Sequence, residues 1–242
     1  MSSVFDSAET GGRGYAGRMR THWDRHAGTW DAHLPSSDLF AELLEEVLRR
    51  AQPEPTSVAA DLGAGSGFLT VPLLERTGRV HAVDNSEQML GRLRVRVGDD
   101  PRLQVDRCSF LEFDPNEPLN LVVSNYALHH LRGRDKDALV ARTFAQLVPG
   151  GRFVISDIMV PLTLRPGQSG ALRSKVWRIA KKGLPGVWRI TKNAARWIRG
   201  TGEYPVGPQA WMALLEAAGF IEVGHTGIGR ETGVVWGTKP SA

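Results

Sequence analysis

The stretch from Ala59 to Thr70, AADLGAGSGFLT, decides the fold. A buried-looking strand runs into glycines at every second position (63, 65 and 67), and an apolar helical pattern follows. A strand that turns on glycines into a helix brings its backbone close to a ligand, with N–H groups aimed at it. The surrounding chain repeats the alternation. SVAADL (57–62), RVHAVD (79–84), RLQVDRC (102–108), NLVVSN (120–125) and RFVISDIMV (152–160) read as strands. FLTVPLLER (68–76), SEQMLGRLRVRV (86–97) and DKDALVARTFAQLV (135–148) read as helices, the last one stopped by Pro149-Gly150-Gly151. Pro208 opens another helix, and FIEVGHT and GVVWGTK close the chain as strands. Strand and helix in alternation mean an α/β fold: a doubly wound parallel sheet with helices on both faces.

The glycine turn reads G-x-G-x-G. The dinucleotide fingerprint is G-x-G-x-x-G, and Phe68 stands where its third glycine would be. A tight strand-to-helix turn is the plain alternative. Asp84 ends the next strand about 20 residues on, where an acid can accept hydrogen bonds from both ribose hydroxyls. It could also cap the following helix, a task Asn85 and Ser86 could share. GSGF has no lysine, which excludes a P-loop. Tyr15, Tyr126 and Tyr204 are followed four residues on by Met19, His130 and Pro208, so the Tyr-x-x-x-Lys pair of short-chain dehydrogenases is absent.

The 242 residues suffice for one full-sized α/β domain. A single cysteine, Cys108, allows no disulfide within the chain and fits a reducing compartment, so the expected location is cytoplasmic. Residues 1–14 are Ser/Gly-rich and expected to be a disordered tail, with no signal or anchor pattern. Residues 15–50 read as a helical N-terminal lid. His22, Trp23, His26, Trp30 and His33 lie in its first part, and Ser36-Ser37-Asp38 caps a helix over 39–51. His22 and His26 share a helical face, but no carboxylate between them makes a zinc-protease motif, and no metal is expected. Tyr15, Trp23 and Trp30 read as a cover for the cofactor or as core packing.

Charge is uneven. Residues 165–199 hold ten Lys or Arg and no acid; taken from a net charge of +4, these leave −6 for the rest. Two amphipathic helices are expected here, broken at Pro185-Gly186. Leu172, Val176 and Ile179 face away from Lys175, Arg178 and Lys182. Val187, Ile190, Ala194, Trp197 and Ile198 face away from Arg189, Lys192 and Arg196. Such a pair serves as a substrate lid or as a peripheral contact with anionic membrane over 172–199, and these two are compatible. A nucleic-acid grip is disfavoured, because no recognisable RNA-binding module accompanies it.

Four blocks in order, VAADLGAGSGFLT, VHAVDNSEQML, LNLVVSNYALHHL and LVPGGRFVISDIM, resemble the class I S-adenosylmethionine-dependent methyltransferases, small-molecule branch. So does the terminal AGFIEVGHTGIGRETGVVWGTKP. The resemblance covers roughly residues 20–160 and 208–240. It implies a Rossmann-like, seven-stranded, mostly parallel sheet in a single domain spanning 15–242, with the cofactor core over 56–160, the basic insertion over 165–203 and a last helix and strand pair over 208–242. It implies S-adenosylmethionine as cofactor. Asp61 and the loop Gly63, Ala64, Gly65 to Gly67 would hold the methionine end. Asp84 would bind the ribose diol, and Asn85 and Met89 would flank the adenine. Ser109 and Phe110 stand where such enzymes often place an adenine-binding Asp, and serine departs from that pattern. Asn120 replaces an acid common at the start of the fourth strand. Ser124 and Asn125 would lie beside the transferring methyl group, and Trp30-Asp31 resembles an aromatic-acid pair of the lid.

A sulfonium is already an activated methyl donor, so a general base is needed only for an acceptor that arrives protonated. Tyr126, His129 and His130 are the candidates, with packing or capping as the alternative for one of the histidines. The expected reaction is O-, N- or C-methylation of a small hydrophobic acceptor, with a lipid or isoprenoid among the candidates. A non-catalytic cofactor-binding module and a methyltransferase acting on RNA or protein are the alternatives.

Overall fold

The computed structural model describes residues 24, 38–159, 204–229 and 231–241. The expected tail, most of the expected lid (Tyr15, His22, Trp23, His26, Trp30, Asp31 and His33 among it) and the basic insertion lie outside the described residues.

Seven strands form one sheet: β1 (Val58–Leu62), β2 (Arg79–Val83), β3 (Leu103–Asp106), β4 (Leu119–Asn125), β5 (Leu147–Ile158), β6 (Ile221–Ile228) and β7 (Thr232–Thr238). Their spatial order is β3-β2-β1-β4-β5-β7-β6. The first five are parallel, and β7 runs antiparallel to both β5 and β6. The seven-stranded, mostly parallel sheet expected from the resemblance is therefore present. The chain winds outward from β1 to β3 and then returns to the other side of β1 as β4. That reversal opens a crevice at the carboxyl ends of β1 and β4, the usual ligand position in such sheets.

Five helices are described: α1 (Asp38–Ala51), α2 (Thr70–Leu74), α3 (Glu87–Val97), α4 (Gly133–Gln146) and α5 (Pro208–Ala217). Helix α1 buries Phe40, Leu43, Val47 and Ala51, one stripe at helical spacing, against the face of the sheet that carries Ala59, Val80, Val123 and Val154. The other face holds Val83, Val122, Phe153 and Ile155 under α4 and α5, with Leu139, Val140, Trp211 and Leu215. Burial on both faces explains why β1 and β4 read as nearly unbroken apolar runs. Asn120 accepts the Val58 N–H at 2.8 Å through Oδ1, which ties the start of β4 to β1.

Two of the boundaries that differ from the sequence expectation have an evident cause. Helix α2 has five residues instead of nine, because Phe68 and Leu69 still belong to the glycine turn. Helix α4 ends at Gln146, and Pro149-Gly150-Gly151 lies inside β5 rather than stopping the helix. Gly150 has a φ of 78° and donates its N–H to the Lys239 carbonyl, and Gly151 accepts the Lys239 N–H. The Lys239 ammonium then caps α4 through the carbonyls of Phe144 and Leu147. A long-range exchange with the chain's last strand thus replaces the local helix stop.

Candidate active site

The glycine turn bends over the end of β2, where Gly63 and Ala64 both donate N–H groups to the Val83 carbonyl, at 2.8 and 3.1 Å. Gly63, Gly65 and Gly67 have φ of 81°, 54° and 91°, a region side chains disfavour. Space matters as much as torsion at Gly63. A Cβ there would overlap the Cβ of Ala127, and the Phe110 ring lies 3.5 Å from the same position. The missing side chain therefore lets three loops meet: the one after β1, the one after β3 and the one after β4.

Two acids sit under this turn, Asp61 buried and Asp84 half-buried. Asp84 accepts the Gly65 N–H at 2.9 Å through one carboxylate oxygen and the Ser86 N–H at 2.8 Å through the other. Desolvation pushes its pKa up to about 6, in spite of those donors. Asp61, 1% exposed, accepts the Thr70 hydroxyl at 2.7 Å. Burial pushes it up to about 7, and the charge of Asp84 adds to the rise. The cap of α3 is Ser86, whose hydroxyl accepts the Met89 N–H at 3.3 Å and donates to Asp24 at 2.6 Å. Asp84 therefore binds backbone donors on both sides, beyond any capping role. Asn85 lies between Asp84 and that cap, and the buried Met89 belongs to the first turn of α3. Ser109 turns the loop after β3, accepting the Phe113 N–H on its carbonyl, and Phe110 follows it. A glycine cradle with two desolvated carboxylates suits a ligand that brings a diol and positive charge, as S-adenosylmethionine does. The two acids are poorly solvated until such a partner arrives.

The end of β4 supplies a second group of residues. The Asn125 carboxamide oxygen accepts the Ser156 hydroxyl at 2.8 Å. Tyr126 has a φ of 53°, rare for a bulky residue, and donates its N–H to the Ser156 carbonyl at 2.9 Å. Its ring packs toward Phe40 and its hydroxyl bonds Thr232, while burial pushes its pKa up. The kink at Tyr126 leads into a 3-10 turn, Leu128–His130, that carries both histidines into the interior. His129 Nδ1 lies 2.5 Å from Asp157 Oδ1, an oxygen that also accepts the Ile158 N–H at 2.8 Å. Asp157 is 1% exposed. The His130 ring is 4.0 Å from that of His129, centroid to centroid. Beneath them Lys136, also 1% exposed, donates to the carbonyls of Leu131 and Tyr204.

The structure thus gathers Asp61, Gly63, Ala64, Gly65, Gly67, Asp84, Phe110, Asn125 and the turn through Tyr126, His129 and His130 at the carboxyl end of the sheet. Asp157 and Lys136 were not foreseen. An acid within the apolar run VISDIM was the available signal for Asp157. For Lys136 it was the spacing Lys136, Leu139, Val140, Thr143, which places the lysine on the buried stripe of α4.

Comparison with known proteins agrees with this geometry. Residues 59–151 match the family described as a methyltransferase domain. An uncharacterized methyltransferase of Geobacillus kaustophilus (strain HTA426) is 33% identical over 144 residues, which are 56% of this chain and 61% of that one, so the chain spans about three fifths of that relative's length. Among solved structures, the N-methyltransferase NodS of Bradyrhizobium japonicum WM9 in complex with S-adenosylhomocysteine has a TM-score of 0.66 at 15% identity, over 92% of this chain and 99% of its own. The 1,6-didemethyltoxoflavin-N1-methyltransferase of Burkholderia thailandensis, with its substrate and S-adenosylhomocysteine bound, has a TM-score of 0.66 at 19% identity, over 100% and 94%. The structural likenesses establish the fold, and the family match falls on β1 through the start of β5, the strands that carry the glycine turn and both acids. Residues 59–151 thus match a methyltransferase domain, and the chain is similar in sequence and fold to S-adenosylmethionine-dependent methyltransferases.

Proposed function

We propose that the protein transfers a methyl group to a small, hydrophobic acceptor that arrives protonated, with His129 as the proton acceptor. The observation that carries this reading is the buried His129–Asp157 pair at the carboxyl ends of β4 and β5. When bound, S-adenosylmethionine supplies an activated methyl group. Asp61, the loop Gly63–Gly67 and Asp84 would hold it, with Asn85, Met89, Ser109 and Phe110 toward the adenine and Asn125 toward the methyl end. Donation of the Nδ1–H to Asp157 fixes the imidazole ring and leaves Nε2 with the lone pair. Nε2 can then take a proton from a hydroxyl or amine as the new bond forms. Asp157 orients the ring and stabilises the imidazolium. The Tyr126 hydroxyl, protonated at neutral pH like any phenol, would serve as a hydrogen-bond donor on the acceptor side. His130, its ring tilted at 49° against that of His129, packs the pair from one side.

A small acceptor is favoured by burial: a pair so enclosed is reached by a molecule that enters the crevice, not by a large folded surface. The Burkholderia neighbour, which binds 1,6-didemethyltoxoflavin, gives a precedent on this fold. The basic segment 172–199 would select the acceptor, and its cationic faces would place the protein at an anionic membrane if that acceptor is a lipid.

The test is S-adenosylhomocysteine formation with panels of phenols, amines and isoprenoid lipids. Turnover on a hydroxyl or amine acceptor is expected, and His129→Gln should lower kcat by about 10²- to 10⁴-fold while cofactor affinity holds. Unchanged turnover in His129→Gln overturns the assignment of the base.

A further inference from the structure

Lys136 stands where helix physics disfavours it. A cation in the first turn of α4 opposes the helix dipole, and a buried ammonium is costly to desolvate. The helix gains nothing from it, yet the side chain is almost wholly buried. Its contacts explain the position. One carbonyl it holds belongs to Leu131, which closes the 3-10 turn bearing His129 and His130. The other belongs to Tyr204, whose own N–H donates to the His129 carbonyl at 2.6 Å. The ammonium therefore joins two segments that both touch His129. The groups around it are Asp157 of β5, Asp135 of its own helix and the ring of Trp211 on α5, 5.7 Å away, while its hydrogen bonds reach the chain on both sides of His129. Arg132 stands over the far side of Tyr204, 5.6 Å from its ring.

We propose that Lys136 is a positioning residue for the His129–Asp157 pair, its buried ammonium clamping the histidine turn to Tyr204 and setting the electrostatic balance at the imidazole. The proposal rests on the reading of His129 as proton acceptor. The cation and the imidazole share one carboxylate: Asp157 is hydrogen-bonded to His129 and attracts Lys136. With the ammonium charged, Asp157 divides its attraction between lysine and imidazole, which holds back protonation of the ring. Without that charge, the carboxylate acts on His129 alone and favours imidazolium. Burial lowers the lysine pKa to about 8, against the pull of Asp157 and Asp135, so the clamp carries its charge at neutral pH and loses it in mildly alkaline solution.

The experiment is nitrogen-15 NMR of the histidine rings in the full chain saturated with S-adenosylhomocysteine, from pH 5 to 9. The His129 resonance is identified by its loss in His129→Gln. Lys136→Gln keeps an N–H donor and removes the charge; Lys136→Met removes both; Lys136→Arg keeps the charge. The first two should raise the His129 midpoint by on the order of one pH unit, while the arginine variant stays near wild type. A midpoint unchanged in the glutamine and methionine variants overturns the proposal. The wild-type protein gives a reading that needs no variant to fold: its His129 resonance should show a second inflection near pH 8 as Lys136 deprotonates. Absence of that inflection overturns the proposal equally. These measurements read the ring and not turnover, so a failure here is distinct from a failure of His129 as base, which the His129→Gln assay reports.

Discussion

Replacing Asp84 with asparagine should make the ligand-free protein more tolerant of neutral pH while it weakens cofactor binding. Asp84 is half-buried, and desolvation pushes its pKa up to about 6 from an ordinary carboxyl value of 3.8. The native state therefore holds a proton that the unfolded chain releases, and stability falls as pH rises from about 4 to about 6. A shift of about 2 units at 1.36 kcal/mol each gives a loss of about 3 kcal/mol by pH 7.5. Asparagine abolishes this pH dependence. It offers one oxygen where the carboxylate offers two, so either the Gly65 or the Ser86 N–H loses its acceptor, at a cost of about 1–3 kcal/mol. The variant should thus be less stable than wild type at pH 4 and equal or better at pH 7.5. The difference between them should move by about 3 kcal/mol across that range, or roughly 6–12 °C in Tm for a chain of this size. Urea unfolding at the two pH values, without ligand, reads it directly. Loss of charge-assisted bonds to the ribose should cost about 1.5–3 kcal/mol, roughly 10- to 150-fold in affinity for S-adenosylhomocysteine by calorimetry. A stability difference that does not move with pH would refute the account of Asp84 as a desolvated acid, and wild-type affinity would refute its role at the ribose.

Gly63→Ala should destabilise by about 2–5 kcal/mol, the sum of a left-handed φ and an overlap with Ala127 that no side-chain rotation relieves. Gly65→Ala is the control, since its Cβ would meet nothing nearer than the Gly63 carbonyl at 3.9 Å, and should cost only about 1–2 kcal/mol. Equal losses in the two variants by urea unfolding would remove the close approach of the loops as the reason for Gly63. Replacing Arg189, Lys192 and Arg196 together with glutamine should weaken co-sedimentation with anionic vesicles about 100-fold, at about 1 kcal/mol per charge. Sedimentation that is absent in wild type, or unchanged in the variant, retires the membrane contact.

The sheet and its glycine turn were legible because their signals are local. Strand periodicity, a glycine run and an acid at the end of the next strand all lie within some 25 residues, and short-range sterics fix what they can become. The end of α4 was misjudged because the deciding partner, Lys239, is nearly 90 residues away. Pro149-Gly150-Gly151 has the chemistry of a helix stop, but the exchange with Lys239 gives Gly150 and Gly151 a place in β5. Lys136 and Asp157 escaped for a related reason. A charged side chain in a sequence reads as solvated, and only the fold shows that its partners are already in place. His129 and Asp157 are 28 residues apart in the chain, and the parallel pairing of β4 with β5 makes them neighbours.

The same pairing divides the site into two parts that can vary independently. The proposed cofactor cradle is built on the loops after β1, β2 and β3, and packing of Gly63 against Ala127 and Phe110 ties it together. The proposed acceptor side is built on the ends of β4 and β5. The chain between residues 159 and 204 leaves from Met159, whose N–H donates to the Glu231 carbonyl at 2.8 Å, and returns at Tyr204 on the His129 carbonyl. It therefore departs two residues after Asp157 and rejoins in direct contact with His129. Under the proposed function, changes in that segment should alter which acceptor is used while the glycine turn, Asp61 and Asp84 keep their contacts. The reverse does not hold for Ala127: it touches the cradle on one side and begins the histidine turn on the other, so a larger residue there should disturb cofactor affinity and the His129–Asp157 geometry together.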